Sequence, residues 1–303
     1  MKTAIVSGAN GFVGNAVIKE LLSNHYSVQG LFHNDVSRLE NHPRLKLVKY
    51  SADKVNLLNN KLESSDIFYH FAWRGISGPE RYDYNIQLQN IKQTIEILKM
   101  AKKIGCRRFV CAGSIVEYEA LAAAHVNGNR PGTEYVYGAG KLAAHMMCKY
   151  VASEIGIDLL WGVITNTYGP GEISKRLVNT TLRKLINGEI PKFTSATQNY
   201  DFVYIDDVAR AFRLIGERGV PFSEYIIGSS NPGQLKTFLS EMNHAVSPNI
   251  HFEYGDISFT GVGLPIEVFD CSKTEVDTGF KADVPFGEGV LRTFNWLKNH
   301  TPL

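Results

Sequence analysis

The chain has 303 residues, of which 44% are hydrophobic, 20% are charged and 11% are aromatic. This composition is typical of a folded globular protein and excludes both a disulfide-stapled mini-protein and a disordered chain. The 32 basic and 30 acidic residues leave a formal charge of only +2, which disfavours a nucleic-acid-binding protein.

No apolar stretch approaches the roughly 18 residues that a membrane-spanning helix needs, so we expect neither a membrane segment nor a signal peptide. The cysteines are dispersed along the chain, and no two of them form a Cys-x-x-Cys pair. They are Cys106, Cys111, Cys148 and Cys271. That spacing favours free thiols in a reducing, cytoplasmic compartment, and we expect no metal site.

The first half of the chain alternates short apolar segments with longer helical patterns. The apolar segments are Ala4–Val6, Val28–Phe32, Leu45–Val48, Ile67–Ala72, Phe109–Ala112 and Leu159–Thr165. The helical patterns between them are Val13–Leu22, Asn90–Ile104 and Lys141–Ile155. This alternation predicts an α/β fold with a Rossmann-type, doubly wound parallel sheet.

After Thr165 the pattern becomes irregular, because prolines interrupt the chain repeatedly. Asp206–Ile215 still has helical spacing and Tyr225–Ile227 is typical of a strand, and the chain ends on an amphipathic helix over Gly289–Leu297. We therefore predict two units: a dinucleotide-binding Rossmann domain over 1–165 that regains a helix and a strand around 205–227, and a smaller, irregular α/β substrate lobe over 166–204 and 228–303.

Glycines recur at three-residue steps where the first strand meets the first helix, at Gly8, Gly11 and Gly14. Such a turn needs glycine for a tight bend, for close approach of the backbone to a pyrophosphate and for helix packing. The free N–H groups and the dipole of the helix start then face the anion. The position of this motif in a βαβ series predicts dinucleotide binding.

The residue at the end of the second strand selects the nicotinamide cofactor. A carboxylate there bonds the ribose 2′-hydroxyl of NAD, whereas a cation accommodates the 2′-phosphate of NADP. In this chain His33 follows the strand, the first acid is Asp35, and Arg38 comes shortly after. We therefore predict NADP(H) as the favoured cofactor, with NAD(H) as the alternative.

Reduction of a carbonyl needs a proton donor, a cation beside that donor and a polar group for the oxygen. Tyr137 and Lys141 supply the first two, because residues four apart share one face of a helix. With 14 tyrosines, about one Tyr-x-x-x-Lys pair is expected by chance, and Tyr50 with Lys54 is such a pair. Tyr137 instead follows the fifth strand, which ends near Ser114 at the sheet edge where ligands bind.

Together these motifs resemble the extended short-chain dehydrogenase/reductase family, in its nucleotide-sugar branch. That branch contains NAD(P)-dependent epimerases, dehydratases and 4-keto-sugar reductases. The resemblance covers nearly the whole chain and rests on the three glycines, His70-Phe71-Ala72, Asn90 at a helix start, Ser114, Tyr137, Lys141, Asn166–Gly171 and Tyr200–Ala209.

The resemblance implies a role for each matching residue. Tyr137 would be the acid/base, Lys141 would bond the nicotinamide ribose and tune Tyr137, and Ser114 would hold the substrate oxygen. Asn166 would contact the nucleotide sugar. The implied cofactor contacts, besides His33 and Arg38, are Gly8, Asn10, Gly11, Phe12, Val13, Gly14, Ala72 and Asn90, of which Asn90 would brace the central helix and the cofactor loop. The helices at 90–104 and 141–155 resemble those that pair in family homodimers as a four-helix bundle, so a homodimer is expected.

Two binding positions depart from the family pattern. Relatives carry an adenine-contacting Asp where this chain has Ser51-Ala52, so Asp53 is the displaced candidate. Many relatives place an arginine that grips the nucleotide diphosphate where this chain has Tyr200. That contact would then fall to another cation of the second lobe, namely Arg176, Arg183, Lys184 or Lys192.

A third departure concerns the reaction. A dehydratase of this family adds two adjacent acids directly after its Ser or Thr, because water elimination needs a further proton donor and acceptor. Here Ile115 and Val116 follow Ser114, and Glu117 comes one residue later. If the strand continues, Glu117 points to the other side of the sheet. The sequence therefore disfavours dehydration.

The favoured function is reduction of a 4-keto-6-deoxy nucleotide sugar, with Tyr137 as the acid/base. The nearest alternative is a nucleotide-sugar 4-epimerase that retains NAD. A reductase of another small carbonyl compound and a non-catalytic NADP-binding sensor are the remaining hypotheses. They differ in cofactor behaviour, because a reductase consumes added NADPH whereas an epimerase shows no net redox change.

Overall fold

The computed structural model describes residues 2–51, 55, 58, 60–125 and 135–300. The strands in that part of the chain are β1 (Thr3–Ser7), β2 (Ser27–Phe32), β3 (Leu45–Lys49), β4 (Ile67–His70), β5 (Arg108–Ser114), β6 (Asp158–Ile164), β7 (Asn166–Tyr168), β8 (Asn199–Tyr200), β9 (Phe202–Tyr204), β10 (Glu224–Ile227) and β11 (Gly233–Gln234). The α-helices are α1 (Phe12–Ser23), α2 (Tyr84–Lys103), α3 (Val116–Ala124), α4 (Tyr135–Ile155), α5 (Leu177–Ile186), α6 (Ile205–Arg218), α7 (Leu235–Val246), α8 (Ser272–Thr278) and α9 (Phe286–His300).

Seven of the described strands form one parallel sheet in the order β10-β6-β5-β4-β1-β2-β3. Ala4, Ile5 and Val6 in β1 are fully buried, as expected for a strand covered on both faces. The chain reverses direction across the sheet between β1 and β4. In open α/β sheets, ligands bind at the carboxyl ends of the strands beside such a switch point. The Rossmann-type fold predicted from the sequence is confirmed.

Helices cover both faces of this sheet because each buries an apolar stripe. One core includes Ile18 and Leu21 of α1 together with Phe212 of α6. The other includes Leu98 of α2 and Cys148 of α4. These two cores fix the helices that carry the glycine motif and the Tyr137–Lys141 pair against the strand ends.

A third core lies in the second part of the chain. Leu182 of α5, Leu239 of α7 and Val290 of α9 pack together there with the aromatic side chain of Phe202. Two small pairings, β7 with β9 and β8 with β11, accompany this core. The strand β10 joins the large sheet through β6, so the chain enters this region after β6, returns to the sheet, and leaves it again.

The start of α2 differs from the one expected from the sequence. Helix α2 begins at Tyr84 rather than Asn90, because the Asp83 side chain accepts hydrogen bonds from the amides of Asn85 (2.8 Å) and Ile86 (3.3 Å) and caps the helix. The prediction that Asn90 opens this helix was therefore wrong, since Asn90 lies in its second turn.

Among the described helices, none is sufficiently long and apolar to cross a lipid bilayer.

Candidate active site

The glycine motif forms a cradle at the start of α1. Gly8 has a φ of +71°, and a Cβ there would lie 2.8 Å from the backbone nitrogen of Ala72. A Cβ on Gly14 would overlap the carbonyl oxygen of Gly8. Gly11 caps the helix without a side chain, and the first turn, at Phe12 and Val13, contains no acid. Side chains are thus excluded where the helix N–H groups emerge, and the cradle fits a dinucleotide pyrophosphate.

The loop after β2 is tied to this cradle through Asn10. The Asn10 side chain donates to Asp35 Oδ2 (3.0 Å) and accepts from the amide of Arg38 (3.0 Å). Asp35 also accepts from the amide and hydroxyl of Ser37, at 2.9 and 2.7 Å. The Arg38 guanidinium donates to the Gly171 carbonyl oxygen (3.0 Å), so this cation bridges to the second part of the chain.

Exposed His33 lies at a separate cavity of about 310 Å³ beyond the carboxyl ends of β2 and β3. Two lysines that sequence reasoning missed, Lys49 and Lys61, line the same cavity. Their signal was weak because exposed lysines are common. Asp53, the adenine-contact candidate, lies outside the described residues.

His70, the last residue of β4, is buried at the switch point. Its Nδ1 lies 2.7 Å from Ser7 Oγ and its Nε2 lies 3.1 Å from Thr94 Oγ1. Burial, and then the charge of Lys141, lower the pKa of His70 to about 3, so the ring is neutral near pH 7. Ser7 Oγ also accepts from the amide of Ala72 (3.4 Å), which holds this turn beside the glycine cradle.

Asn90 holds the loop that follows β4. Its side chain accepts from the backbone amide of Arg74 (3.0 Å) and donates to the carbonyl oxygen of the same residue (2.7 Å). Gln87, one turn earlier on α2, accepts from Trp73 Nε1 (2.8 Å). Sequence reasoning missed Gln87, although its spacing of three from Asn90 places both on one helix face.

The structure brings Tyr137 and Lys141 to the end of β5. Both side chains are on α4 and only 5% exposed. Lys141 Nζ donates to the carbonyl oxygen of Ala112 (2.9 Å), two residues before Ser114, which ends the strand. The same nitrogen lies 6.0 Å from the centre of the Tyr137 ring. These contacts bring the three predicted catalytic residues into one region at the carboxyl edge of the sheet.

Two further residues, which the sequence did not indicate, border Tyr137. The Trp73 ring lies 3.8 Å from Lys141 Nζ and meets the Tyr137 ring edge to face, with 6.2 Å between centroids. The guanidinium carbon of Arg81 lies 4.2 Å from the Tyr137 ring centre. Both come from the loop after β4, whose path depends on α2 rather than on a local pattern.

Glu117 differs from the expectation for a continuing strand. The strand β5 ends at Ser114 and α3 begins at Val116, so Glu117 lies on a helix and is 2% exposed. Its Oε1 accepts from the backbone amide of Ser114 (2.9 Å) and from Trp161 Nε1 (3.2 Å). The carboxylate is therefore committed to the protein framework.

The expected substrate residues are only partly brought together. Asn166 and Tyr200 line a small cavity that Ile115 and Glu119 also border, and Asn166 donates to the carbonyl oxygen of Asp201 (3.0 Å). Tyr200 stacks on Phe202 with 5.6 Å between ring centres. Arg176 occupies the N-cap position of α5, and it is not among the described residues that line this cavity.

Residues 4–228 match the sequence profile described as the NAD dependent epimerase/dehydratase family. The chain belongs to this family. Its members are enzymes of the short-chain dehydrogenase/reductase type, which confirms the resemblance stated from the motifs.

Among curated relatives, the chain is 25% identical over 273 residues to a trifunctional UDP-glucose 4,6-dehydratase/UDP-4-keto-6-deoxy-D-glucose 3,5-epimerase/UDP-4-keto-L-rhamnose-reductase of Arabidopsis thaliana. The match covers 84% of this chain and 41% of that protein, so the chain spans about two fifths of the relative.

Two solved structures share the fold. The Bordetella bronchiseptica enzyme WbmF, in complex with NADH, superposes with a TM-score of 0.82 at 20% identity, covering 98% of this chain and 92% of the other. A UDP-N-acetylglucosamine 4-epimerase from Methanobrevibacter ruminantium M1, in complex with UDP-N-acetylmuramic acid, gives a TM-score of 0.83 at 19% identity, with 99% of each chain covered.

Proposed function

We propose that this protein reduces a 4-keto-6-deoxy nucleotide sugar with NADPH. The observation that carries the proposal is the position of Glu117, whose carboxylate bonds the Ser114 amide, while apolar Ile115 and Val116 directly follow Ser114. The proposed triad of Ser114, Tyr137 and Lys141 lies at the sheet edge, and no adjacent acid pair directly follows Ser114. This arrangement supports proton and hydride transfer to a ketone over elimination of water.

The residues have distinct tasks in this mechanism. Bound nicotinamide would supply the hydride for the carbonyl carbon. Tyr137 would donate its hydroxyl proton to the carbonyl oxygen, and Ser114 Oγ would hold that oxygen by a hydrogen bond. The phenolate that remains would be stabilised by the positive charges of Lys141 and Arg81, which lie 6.0 and 4.2 Å from the ring centre.

The preference for NADPH rests on the cavity beside β2. Its described lining contains His33, Lys49 and Lys61 and no carboxylate. Asp35, the first acid after β2, already accepts from Asn10 and Ser37. Cations suit a 2′-phosphate, whereas NAD specificity needs a carboxylate free to accept from the ribose 2′-hydroxyl.

The lobe around Asn166 and Tyr200 would bind the nucleotide sugar. We also propose that α2 and α4 form a homodimer interface. These helices expose large apolar side chains, including Leu88 (60%) and Tyr150 (67%). Helices α2 and α4 also pack against each other, so two copies would bury one continuous apolar surface.

A reducing compartment such as the cytoplasm is proposed from the thiols. All four cysteines are free and buried. Burial raises the pKa of Cys106 and of Cys148 to about 12, so these groups stay protonated and inert.

The function is tested by mixing the purified protein with NADPH and a 4-keto-6-deoxy nucleotide sugar and following loss of NADPH absorbance. Tyr137→Phe removes the proton donor and is expected to lower kcat by about 100-fold or more, while NADPH affinity stays within about two-fold. Wild-type turnover in the Phe variant would contradict the mechanism.

The nucleotide released on denaturation separates the alternatives. Release of tightly held NAD, with interconversion of 4-epimers and no NADPH oxidation, would replace the reductase with a 4-epimerase. Formation of a 4-keto-6-deoxy product from an intact nucleotide hexose would show dehydration instead. An empty protein that prefers NADPH to NADH in a fluorescence titration supports the reductase.

A further inference from the structure

A hydrogen-bond network beside the triad connects Ser114 with α4. It begins at Glu117, whose Oε1 accepts from the Ser114 amide at 2.9 Å. Ser114 is the last residue of β5, and the amide of the next residue, Ile115, still donates to the carbonyl oxygen of Ile164 on β6 (2.9 Å). The bond from Glu117 adds a second restraint, at the amide of the residue that carries the hydroxyl.

The second oxygen of Glu117 reaches α4. Glu117 Oε2 lies 3.3 Å from His145 Nδ1. His145 follows Tyr137 and Lys141 at successive steps of four residues, so all three share one face of the helix. One buried carboxylate thus contacts both the strand end that presents Ser114 and the helix that presents the other two groups.

The imidazole of His145 is itself held on two sides. It stacks on the Trp161 ring with 4.4 Å between centroids and an angle of 3°. His145 Nδ1 also lies 3.4 Å from Glu224 Oε2 on β10, and Tyr118 donates to the other oxygen of Glu224. Two carboxylates thus face the same ring nitrogen of His145.

The packing leaves little room for this network to move. A Cβ on Gly113 would overlap Trp161 Nε1 and would lie 2.7 Å from Glu117 Oε1. Trp161 and Glu117 therefore press against the backbone of the residue before Ser114. A displacement of about 1 Å between reacting groups can lower a rate about 100-fold, so such rigidity matters at this place.

We propose that Glu117 and His145 are positioning residues, which hold the Ser114 hydroxyl in register with Tyr137 and Lys141. The inference rests on the proposed function, because it assigns these three groups to one reaction. Neither positioning residue contacts the substrate in this scheme. Both act on Ser114, Glu117 directly through the Ser114 amide and His145 by holding Glu117 from α4.

The test is a double-mutant cycle on NADPH-dependent turnover. Glu117→Ala is expected to lower kcat about 10- to 100-fold, with KM and NADPH affinity within about two-fold. Glu117→Gln keeps an oxygen for the Ser114 amide and is expected to recover activity to within about five-fold of wild type. In a Ser114→Ala background, Glu117→Ala should cause less than about a two-fold further loss, because its effect passes through Ser114.

Glu154→Ala, on the exposed part of α4, is the control and should retain wild-type kcat. Equal losses from Glu117→Ala with and without Ser114 would overturn the proposal and indicate a general structural effect. So would unchanged kcat in Glu117→Ala. If that variant does not fold, His145→Asn enters the same cycle, with the same non-additivity expected. Unchanged turnover in Ser114→Ala or Tyr137→Phe alone would instead refute the proposed function.

Discussion

At the scale of single residues, aromatic and cationic side chains surround Tyr137. Trp73 meets its ring edge to face, and the Arg81 guanidinium lies over its ring. Lys141 is anchored by the Ala112 carbonyl oxygen and by the Trp73 ring, so its charge is fixed beside the phenol. In the proposed reaction Tyr137 loses and regains a proton, and fixed charges favour this because they need no reorganisation during the reaction.

The lowered pKa of buried His70 can be tested through the pH dependence of the free energy of unfolding. Its pKa of about 3 in the folded chain lies below the value of 6.5 expected when it is unfolded. Below pH 6.5 the unfolded chain therefore binds a proton that the folded chain does not. The free energy of unfolding should fall from pH 6.5 toward pH 3, with a slope approaching about 1.4 kcal/mol per pH unit from this group.

Urea unfolding at several pH values between 4.5 and 7 measures this slope. His70→Asn should flatten it, whereas His251→Asn, at an exposed position, should leave it unchanged. An identical pH dependence in the wild type and in His70→Asn would refute the assignment of this effect to His70.

At the scale of secondary-structure elements, the junction of β1 with α1 shapes the candidate cofactor site. The junction brings Gly8, Gly14 and Ala72 so close that no side chain fits between their backbones. Side chains position other site elements, since Asp83 caps α2 and Asn90, in the second turn of α2, holds the preceding loop. Strand ends and α4 therefore supply the site residues, while side chains of α2 set the path of the loop after β4.

Gly14→Ala tests this junction. Its Cβ would overlap the Gly8 carbonyl oxygen, so α1 must shift, at a cost of about 1 to 3 kcal/mol in the free energy of unfolding. Because the shift moves the helix N–H groups, NADPH affinity should fall at least about ten-fold, as measured by fluorescence titration. Gly263→Ala, where a Cβ has open space, should change neither quantity appreciably. Wild-type affinity in Gly14→Ala would exclude the cradle as the cofactor site.

At the scale of the whole molecule, the main feature is the apolar surface that α2 and α4 expose. Leu88, Met146, Met147 and Tyr150 are each at least half exposed on these two helices. Such a surface is costly in water unless a partner covers it. The same helices carry Asn90, Tyr137 and Lys141 on their inner faces, so association would also stiffen the support of the site.

A charge placed on this surface should separate the proposed dimer. Leu88→Glu combined with Tyr150→Glu is expected to halve the molecular mass in sedimentation equilibrium, because two like charges would be buried at the contact. Val276→Glu, 82% exposed on α8, should leave the mass unchanged. A wild-type protein that sediments as a monomer would contradict the interface directly.

The sequence alone determined the alternation of strands and helices, the glycine cradle and the positions of Ser114, Tyr137 and Lys141. These features follow from local rules, since residue periodicity, the steric freedom of glycine and four-residue spacing act within short segments. Element bounds were less accurate where a cap decided them, as for α2, whereas the end of β5 near Ser114 was predicted correctly.

Only the tertiary structure decided which neighbours complete the site. Glu117 meets His145 across 28 residues, Trp73 meets Lys141 across the sheet edge, and Lys49 joins His33 at the cavity beside β2. No local pattern encodes such contacts, because they depend on how packed helices and parallel strands bring distant segments together. Short sequence motifs therefore predict which residues are candidates for the site, whereas the fold sets the distances between them.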